Sequence, residues 1–307
     1  MKFFLMGGTG FIGTHLTSYL LKKGHEVTAL VRRPVKAEEF PPGVSIIQGD
    51  PLHAGSWQDV ASQRDVIVNL VGKPILTRWT DEAREEILES RVRSTRLAAD
   101  VALKRGPGIT LINANAVGYY GDGDRDAVFT EESACGTGFL AEVTMKWQEE
   151  AMRASENGAR VVVARLGAVL GMGGGMLAQM IPVFRLGVGG RLGDGRQWFS
   201  WIHIHDLCRA VLFIATNKKV SGTVNMCAPN PVTNMEFTKT LAGILGRPAI
   251  LPVPGFALRL FIGNAADVAL KGQRVVPAVL EREGFAFDFP TIKDALEDLL
   301  GKCYGRR

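Results

Sequence analysis

Three glycines near the amino terminus have the spacing of a phosphate-binding turn. The segment from Gly7 to Gly13 reads GGTGFIG, with glycine at positions 7, 10 and 13. Gly7 permits a tight turn after a strand, Gly10 lets a pyrophosphate approach the backbone, and Gly13 lets a helix pack closely. The free amides and positive dipole of that helix would point at the phosphates. The pattern predicts dinucleotide binding.

Two arginines further along the chain indicate which dinucleotide. A site for NAD usually carries Asp or Glu at the end of the second strand, bonded to the ribose 2′-hydroxyl. This chain has Arg32 and Arg33 there. Because a guanidinium binds phosphate in a bidentate manner and a carboxylate repels it, the pair favours NADP(H). The alternative interpretation is two solvated arginines at a strand end.

The turn needs a strand before it and a helix after it, and the hydropathy pattern predicts both. An apolar run precedes the glycines, a helix with period 3.6 follows, and buried strands recur in a βαβ rhythm. This rhythm predicts an α/β Rossmann fold, a doubly wound parallel sheet, with a small and mostly helical C-terminal substrate cap. The predicted strands are 3–6, 26–31, 44–48, 65–71, 110–113 and 160–166, and the first helix is 14–23.

In a doubly wound sheet, ligands lie at the carboxyl ends of the strands. The turn and these strand ends therefore contribute the predicted contacts to NADP(H). They are Gly7, Thr9, Gly10, Phe11, Ile12, Gly13, Arg32, Arg33, Asp50, Leu70, Val71, Gly72, Asn113 and Leu166.

Composition excludes several other classes. The 307 residues are 46% hydrophobic and 22% charged, and a net charge of +5 is spread without runs of like charge, which argues against disorder and against nucleic acid as a partner. No stretch approaches the roughly 20 apolar residues that cross a bilayer, and no secretory signal is apparent, so we expect no membrane partner and a cytoplasmic location. The four cysteines are far apart and form no zinc or disulfide pattern, so no metal is predicted. They are Cys135, Cys208, Cys227 and Cys303.

Longer motifs carry a resemblance to a known family. Besides GGTGFIG, the chain contains AVGYYGD at 116–122, LGMGGGML at 170–177, GDGRQWFSWIHIHDL at 193–207 and LEREGFAFDFPTIKDAL at 280–296. Together these resemble the extended short-chain dehydrogenase/reductase superfamily, and more narrowly its atypical epimerase family proteins of the 39U type. The resemblance covers essentially the whole chain. It implies cofactor contacts from Glu86, Arg91 and Lys146.

The chain departs from the catalytic pattern of that superfamily. Members that transfer hydride generally use a Ser or Thr after the fifth strand and a Tyr-x-x-x-Lys helix. Lys146 stands at the lysine position, but Glu142 stands four residues before it, and the hydroxyl position falls on Asn115 or Ala116. We predict Lys146, Tyr120 and Asn115 as the catalytic residues. Tyr119 or Glu142 as the acid/base, and purely structural roles for these side chains, remain alternatives.

The second half contains further candidate residues. The glycine-rich segment 167–175 is placed by the resemblance beside the nicotinamide. His203 and His205 alternate on a predicted strand and would share one face as metal ligands or general acids, but the sequence offers no third ligand, and Asp206 would serve as the N-cap of the next helix. Structural roles for both histidines are the simpler interpretation.

The domain organisation follows from these elements. Residues 1–225 are predicted to form the NADP-binding domain, with Gly167–Asp206 also contributing to the substrate side, and 226–307 to form the cap, including a helix over 256–270. The predicted function is an NADP(H)-binding oxidoreductase of the epimerase/dehydratase type, acting on an unknown small molecule as a monomer or homodimer. The alternative is a non-catalytic NADP(H) sensor or scaffold that has lost the catalytic Ser and Tyr.

Overall fold

The computed structural model describes residues 1–34, 40–121 and 126–304, with only the backbone of the last three. Its strands are β1 (Lys2–Met6), β2 (Glu26–Val31), β3 (Ser45–Gln48), β4 (Val66–Asn69), β5 (Thr110–Ala116), β6 (Val128–Phe129), β7 (Arg160–Leu166), β8 (Ala168–Leu170), β9 (Trp198–Phe199), β10 (Trp201–His203), β11 (Gly222–Met226), β12 (Val232–Thr233) and β13 (Arg274–Val275).

Eleven α-helices accompany these strands in the described part of the chain. They are α1 (Phe11–Lys22), α2 (Trp57–Ser62), α3 (Asp81–Arg105), α4 (Phe139–Met152), α5 (Gly175–Arg185), α6 (Ile204–Thr216), α7 (Asn234–Leu245), α8 (Gly255–Ile262), α9 (Asp267–Leu270), α10 (Ala278–Arg282) and α11 (Ile292–Tyr304). None of them is both long and apolar enough to cross a bilayer.

Seven strands form one parallel sheet in the order β3-β2-β1-β4-β5-β7-β11. The order reverses between β1 and β4, where a doubly wound sheet opens its ligand crevice. Successive side chains of β1 enter opposite layers because strand residues alternate. Phe3 and Leu5 pack with α1 and α6, whereas Phe4 and Met6 pack with α2 and α3. The predicted α/β fold is confirmed, including a helical C-terminal region.

Two pairs of short strands tie the C-terminal segment to the rest. β13 pairs with β6 and β12 pairs with β9, while β10 pairs with β8 within residues 1–225. Helix α11 packs on α7, and Ile292, Leu296 and Phe237 share one buried cluster. The carboxyl edge of the sheet is therefore joined to the C-terminal segment by backbone pairing as well as by apolar packing.

Three local predictions are corrected by the structure. Helix α1 begins at Phe11, directly after the turn, rather than at Thr14. The helix predicted over 256–270 is interrupted, because Gly263 adopts a φ of +61° and separates α8 from α9. Helix α6 begins at Ile204, so Asp206 lies inside it and is not its N-cap.

Candidate functional site

The glycine turn has the geometry that the sequence predicts. Gly7 has a φ of +83°, and the amide of Gly10 donates to the Gly7 carbonyl at 3.0 Å. A Cβ on Gly13 would lie 2.3 Å from that carbonyl oxygen, so no larger residue fits. Helix α1 starts with neither a side-chain cap nor an acidic residue in its first turn. Its amino-terminal amides therefore have no competing side chain and can receive an anion.

A second glycine-rich loop closes over the start of α1. It connects β8 to α5 and packs on Phe11: a Cβ on Gly174 would lie 2.6 Å from the ring Cδ2, and one on Gly171 would lie 2.8 Å from Cζ. Only glycine lets the backbone come this close to the ring. The loop that the sequence predicts near the nicotinamide is thus fixed against Phe11 of the glycine turn.

The adenosine side is polar and open. Arg32 and Arg33 are exposed after β2. Asp50, after β3, accepts hydrogen bonds from the Leu52 amide at 3.0 Å and the His53 ring at 2.8 Å. Partial burial raises the pKa of Asp50, but these bonds and the charges of His53 and Arg32 outweigh it and hold the pKa below its ordinary value. Asp50 is therefore an anion whose charge interacts with Arg32. It follows β3, so the arginines still hold the position after β2 where an NAD site carries a carboxylate.

Arg91 reaches the crevice from α3. A Cβ on Gly72, after β4, would lie 3.1 Å from the Arg91 Cζ. The guanidinium donates to the Ile87 carbonyl at 2.9 Å and stacks 5.2 Å from the Trp147 ring. Burial lowers the pKa of Arg91 to about 10, and no carboxylate pairs with it among residues 1–34, 40–121 and 126–304. A cation fixed at the end of β4 in this way can receive an anionic ligand.

The other predicted cofactor contacts differ in accessibility. Leu70 backbone atoms lie 3.1 Å from a Cβ built on Gly7, and the Val71 amide donates to the Asn69 side chain at 3.1 Å. Thr9 is exposed, and Ile12 and Leu166 are half-buried. Glu86 forms an ion pair with Lys73 at the exposed rim. Of these residues, Glu86 already has a partner within the protein.

Asn113 is placed differently from this prediction. Its side chain is fully buried and accepts hydrogen bonds from Asn69 at 2.8 Å and Thr95 at 3.1 Å. The Trp147 indole donates to Thr95 at 2.6 Å and completes the network. The Asn113 side chain therefore joins β5 to α3 and α4 through internal hydrogen bonds.

Two of the three predicted catalytic residues are buried in hydrogen-bond networks. The Tyr120 hydroxyl donates to Asn225 Oδ1 at 2.6 Å and accepts from Arg165 Nη1 at 2.9 Å. Burial raises the pKa of Tyr120 to about 12. The Asn115 amide donates to the Thr144 carbonyl at 2.9 Å. Both side chains are 1% exposed, so this geometry favours structural roles over the predicted contact with substrate.

Lys146, the third, lies elsewhere. It is exposed and borders a groove between α3 and α4, together with Leu88, Val92 and Glu149. No hydrogen bond or ion pair in the described part of the chain links it to the glycine turn or to Arg91. No hydrogen bond in the described residues joins the side chain of Lys146 to Tyr120 or Asn115, although Asn115 bonds the backbone of the same helix at Thr144.

The sequence analysis missed Arg165 and Glu131. Arg165 is 2% exposed, stacks 3.3 Å from the Tyr119 ring centroid and donates to Gln148 at 2.8 Å. Glu131 accepts from the backbone amides of Asn225 at 2.9 Å and Val279 at 3.1 Å. An arginine after four apolar residues of a buried strand was a usable signal, whereas nothing marked Glu131. We call Tyr120, Glu131, Arg165 and Asn225 the polar seam.

The two histidines near α6 belong to a joint with the C-terminal segment. The fully buried Asp206 accepts from the amides of Asp288 at 3.0 Å and Phe289 at 2.9 Å. His203 caps α6 by accepting from the His205 amide at 3.0 Å, and its ring stacks on Phe289 at 4.0 Å. His205 lies in the helix, so the predicted shared strand face does not exist. No cluster of three possible metal ligands occurs in the described ranges.

Two segments of the chain match known protein families. Residues 3–227 match the NAD dependent epimerase/dehydratase family, and residues 253–299 match a domain of unknown function, DUF1731. A chloroplastic SDR39U1 homolog of Arabidopsis thaliana is 41% identical over 303 residues, covering 96% of this chain and 85% of the relative. The Bacillus subtilis epimerase family protein YfhF is 36% identical and covers 98% of each chain.

Solved structures agree with these matches. The human epimerase family protein SDR39U1, determined with NADPH, superposes with a TM-score of 0.86 at 34% identity, covering 97% of this chain and 99% of the human one. A nucleoside-diphosphate sugar epimerase from Corynebacterium glutamicum gives 0.80 at 35% identity, covering 98% of this chain and 58% of that one. The UDP-glucose 4-epimerase of Thermus thermophilus, solved with NAD, gives 0.78 at 18% identity and shares the fold alone.

Proposed function

The chain belongs to the NAD-dependent epimerase/dehydratase family, and we propose that it binds NADP(H) at the glycine turn and uses it as an oxidoreductase on a small molecule. The proposal rests on two features that occur together at the open edge of the sheet. An uncapped helix faces the crevice, and Arg32 and Arg33 follow β2 where an NAD site has a carboxylate. The presence of NADPH in the human relative supports the same preference.

The residues of this chain fit such a cofactor. The close approach at Gly13 and the uncapped α1 suit a pyrophosphate, and the Arg91 guanidinium, which has no acidic partner in the described residues, would supply a cation beside it. Arg32 and Arg33 would bind the 2′-phosphate. When bound, the nicotinamide supplies the hydride. Residues 1–225 would hold the cofactor, and 226–307 would close over the substrate.

For the proton, the geometry leaves Tyr119 as the accessible tyrosine. It is half-buried at the end of β5, next to Tyr120, and its ring lies on the Arg165 guanidinium. Tyr119, the less buried of the two neighbouring tyrosines, would exchange a proton with the substrate oxygen while Tyr120 holds Arg165 in place.

A second candidate function has its own support. The protein would be a non-catalytic NADP(H) sensor or scaffold, because Asn115 and Tyr120 are sequestered and Lys146 points into a groove between helices. Under both functions the chain would act in the cytoplasm with a small-molecule ligand, as a monomer or homodimer. Its buried thiols, Cys208 and Cys227, suit a reducing compartment.

Calorimetric titration with NADPH and with NADH tests the cofactor. We expect NADPH to bind at least about tenfold more tightly, and Arg32→Gln with Arg33→Gln to remove most of that difference, since hydrogen bonds to a charged group contribute about 1.5–3 kcal/mol. Lys104→Gln, an exposed cation near the end of α3, is the control and should change neither affinity. Equal affinities in the natural protein would contradict the NADP(H) assignment.

Turnover separates the two functions. Oxidation of NADPH by small carbonyl compounds, or reduction of NADP⁺ by sugar nucleotides, lost in Tyr119→Phe, would support the oxidoreductase. Tight NADPH binding with no hydride transfer in either direction across the panel would support the sensor.

A further inference from the structure

The most exposed apolar side chains are concentrated in two segments, 183–188 and 250–261. Within the described residues, every large apolar side chain that is more than half exposed lies there, with exposures of 51% to 81%. They are Leu186, Val188, Ile250, Leu251, Phe256, Leu260 and Phe261. Single exposed apolar residues are ordinary, but a cluster of seven marks an interaction site.

The two segments lie side by side. The Val253 amide donates to the Arg191 carbonyl at 2.8 Å, and the Gly193 amide donates to the Val253 carbonyl at 2.9 Å. A Cβ on Gly187 would lie 3.7 Å from Pro248 Cγ. Segments 187–193 and 248–253 are therefore adjacent, and we call the exposed apolar side chains of 183–188 and 250–261 the exposed apolar face.

Helix α8 gives this face its character. Two phenylalanines and two leucines lie within its eight residues, yet none of its residues is buried and none joins a core cluster. By contrast, α5 buries Leu177, Ile181 and Phe184 and exposes only the opposite side. An amphipathic helix normally turns its apolar side to the core. In α8 that side remains available to a partner.

The face is bordered by more arginines than acidic residues. Asp194 and Asp267 directly follow segments 183–193 and 247–266, which contain four arginines. They are Arg185, Arg191, Arg247 and Arg259, of which Arg259 pairs at its edge with Asp267 at 2.9 Å. A second copy docked by a two-fold axis would bring these like charges together, which opposes self-association. A partner surface with negative charge above an apolar layer would complement both the arginines and the exposed apolar side chains.

We propose that the exposed apolar face binds the surface of an anionic bilayer. Phe256, Leu260 and Phe261 would enter the boundary between headgroups and acyl chains, and the arginines would contact lipid phosphates. The protein would lie on the membrane without crossing it. This contact departs from the sequence-based expectation of no membrane partner, and it does not depend on the nucleotide site.

Flotation of the purified full chain with lipid vesicles tests the proposal. Vesicles of phosphatidylcholine alone are compared with vesicles in which part of it is replaced by phosphatidylglycerol, at low and high salt. We expect binding to the anionic vesicles, weakened by salt. Replacing Phe256, Leu260 and Phe261 by Ser should lower the partition coefficient by about tenfold or more. Met145→Ser with Met152→Ser removes exposed apolar side chains from α4 and should leave it unchanged.

A charge variant guards against an effect on folding. Arg185→Gln with Arg247→Gln alters only exposed side chains and should weaken binding to anionic vesicles severalfold, with the circular dichroism spectrum unchanged. Three results would overturn the proposal: no binding to anionic vesicles, binding that the α8 and arginine variants leave intact, or a concentration-dependent dimer that the α8 variant abolishes, since the face would then be covered by a second copy.

Discussion

The crevice at the glycine turn and the polar seam lie on the same edge of the sheet, but their polar groups differ in the partners that they have within the protein. At the crevice, α1 starts without a cap and Arg91 has no acidic partner in the described chain. In the seam, Tyr120 bonds Arg165 and Asn225, and Glu131 accepts two backbone amides. Donors without a capping or acidic partner at the crevice indicate a ligand site. The seam side chains bond one another and the backbone and so hold chain segments together, although Glu131 Oε2 and Arg165 Nε have no hydrogen-bond partner in the described residues.

The seam joins segments that are distant in sequence. Asn225 donates its amide side chain to the Val276 carbonyl at 3.0 Å, and Glu131 receives the Val279 amide. The joint at Asp206 does the same for Asp288 and Phe289. Residues that a catalytic pattern singles out, such as Tyr120, can thus serve to position the C-terminal segment over the crevice.

The largest expected effect comes from filling the glycine turn. Gly13→Val places side-chain atoms where even a Cβ would be 2.3 Å from the Gly7 carbonyl oxygen. We expect the free energy of unfolding to fall by about 2–3 kcal/mol and NADPH binding to disappear. Denaturant unfolding and calorimetry measure the two effects.

Gly243→Ala is the matched control for that variant. Gly243 lies in α7, and a Cβ there meets no atom within 4 Å, so the change should leave NADPH binding intact and raise stability by up to about 1 kcal/mol. Retained NADPH affinity in Gly13→Val would show that the crevice is not the cofactor site.

The pH dependence of stability probes the joint at α6. Burial lowers the pKa of His203 to about 4 from 6.5, against the opposing influence of Asp298, Asp206 and Asp288. Between these values the unfolded chain binds a proton that the folded chain does not. Stability is therefore complete above about pH 6.5 and falls by roughly 2–3 kcal/mol as the pH drops toward 4.

Urea unfolding at about pH 7 and about pH 5 measures this contribution. His203→Gln should remove it, and His205→Gln, at an exposed position, should retain it. An unchanged pH dependence in His203→Gln would mean that other groups control acid sensitivity.

The crevice at the glycine turn could be predicted from the sequence, and the polar seam could not. The glycine turn, the strand before it and the helix after it are contiguous, so local spacing specifies their geometry. The seam brings Glu131 within hydrogen-bonding distance of residues 94 and 148 positions away, and no local pattern encodes that. The motif AVGYYGD ends at Asp122, which lies outside the described residues.

Competition between local and tertiary contacts explains the errors near α6 and α8. Asp is a favoured N-cap, but the Asp206 carboxylate binds the chain at 288–289, and His203 caps the helix instead. The apolar pattern over 256–270 resembles one continuous helix, but Gly263 adopts a positive φ and divides it. At α6 the contacts of Asp206 outweigh its preference for the N-cap position, and at α8 the conformation of Gly263 outweighs the helical periodicity.

Substitution of Arg91 tests whether this guanidinium, which has no acidic partner in the described residues, binds a ligand at the crevice. Arg91→Met should weaken NADPH binding by about 10- to 30-fold, because charge-assisted bonds to phosphate are strong. Stability should change little, since the methionine retains the contact with Trp147. Arg93→Met on the same helix removes an exposed arginine paired with Glu89 and should leave affinity unchanged. Equal effects of the two variants would point to long-range charge alone.

The smallest effect should come from Tyr120, and it separates the two regions most directly. Tyr120→Phe removes the acceptor of Arg165 Nη1 and the donor to Asn225, so we expect a loss of about 1–2 kcal/mol in denaturant unfolding and unaltered NADPH affinity. Tyr119→Phe keeps the ring over Arg165 and should cost no stability. If Tyr120→Phe is as stable as the natural protein but turnover falls, the seam is catalytic after all, because a hydroxyl that contributes nothing to folding has no structural reason to be there.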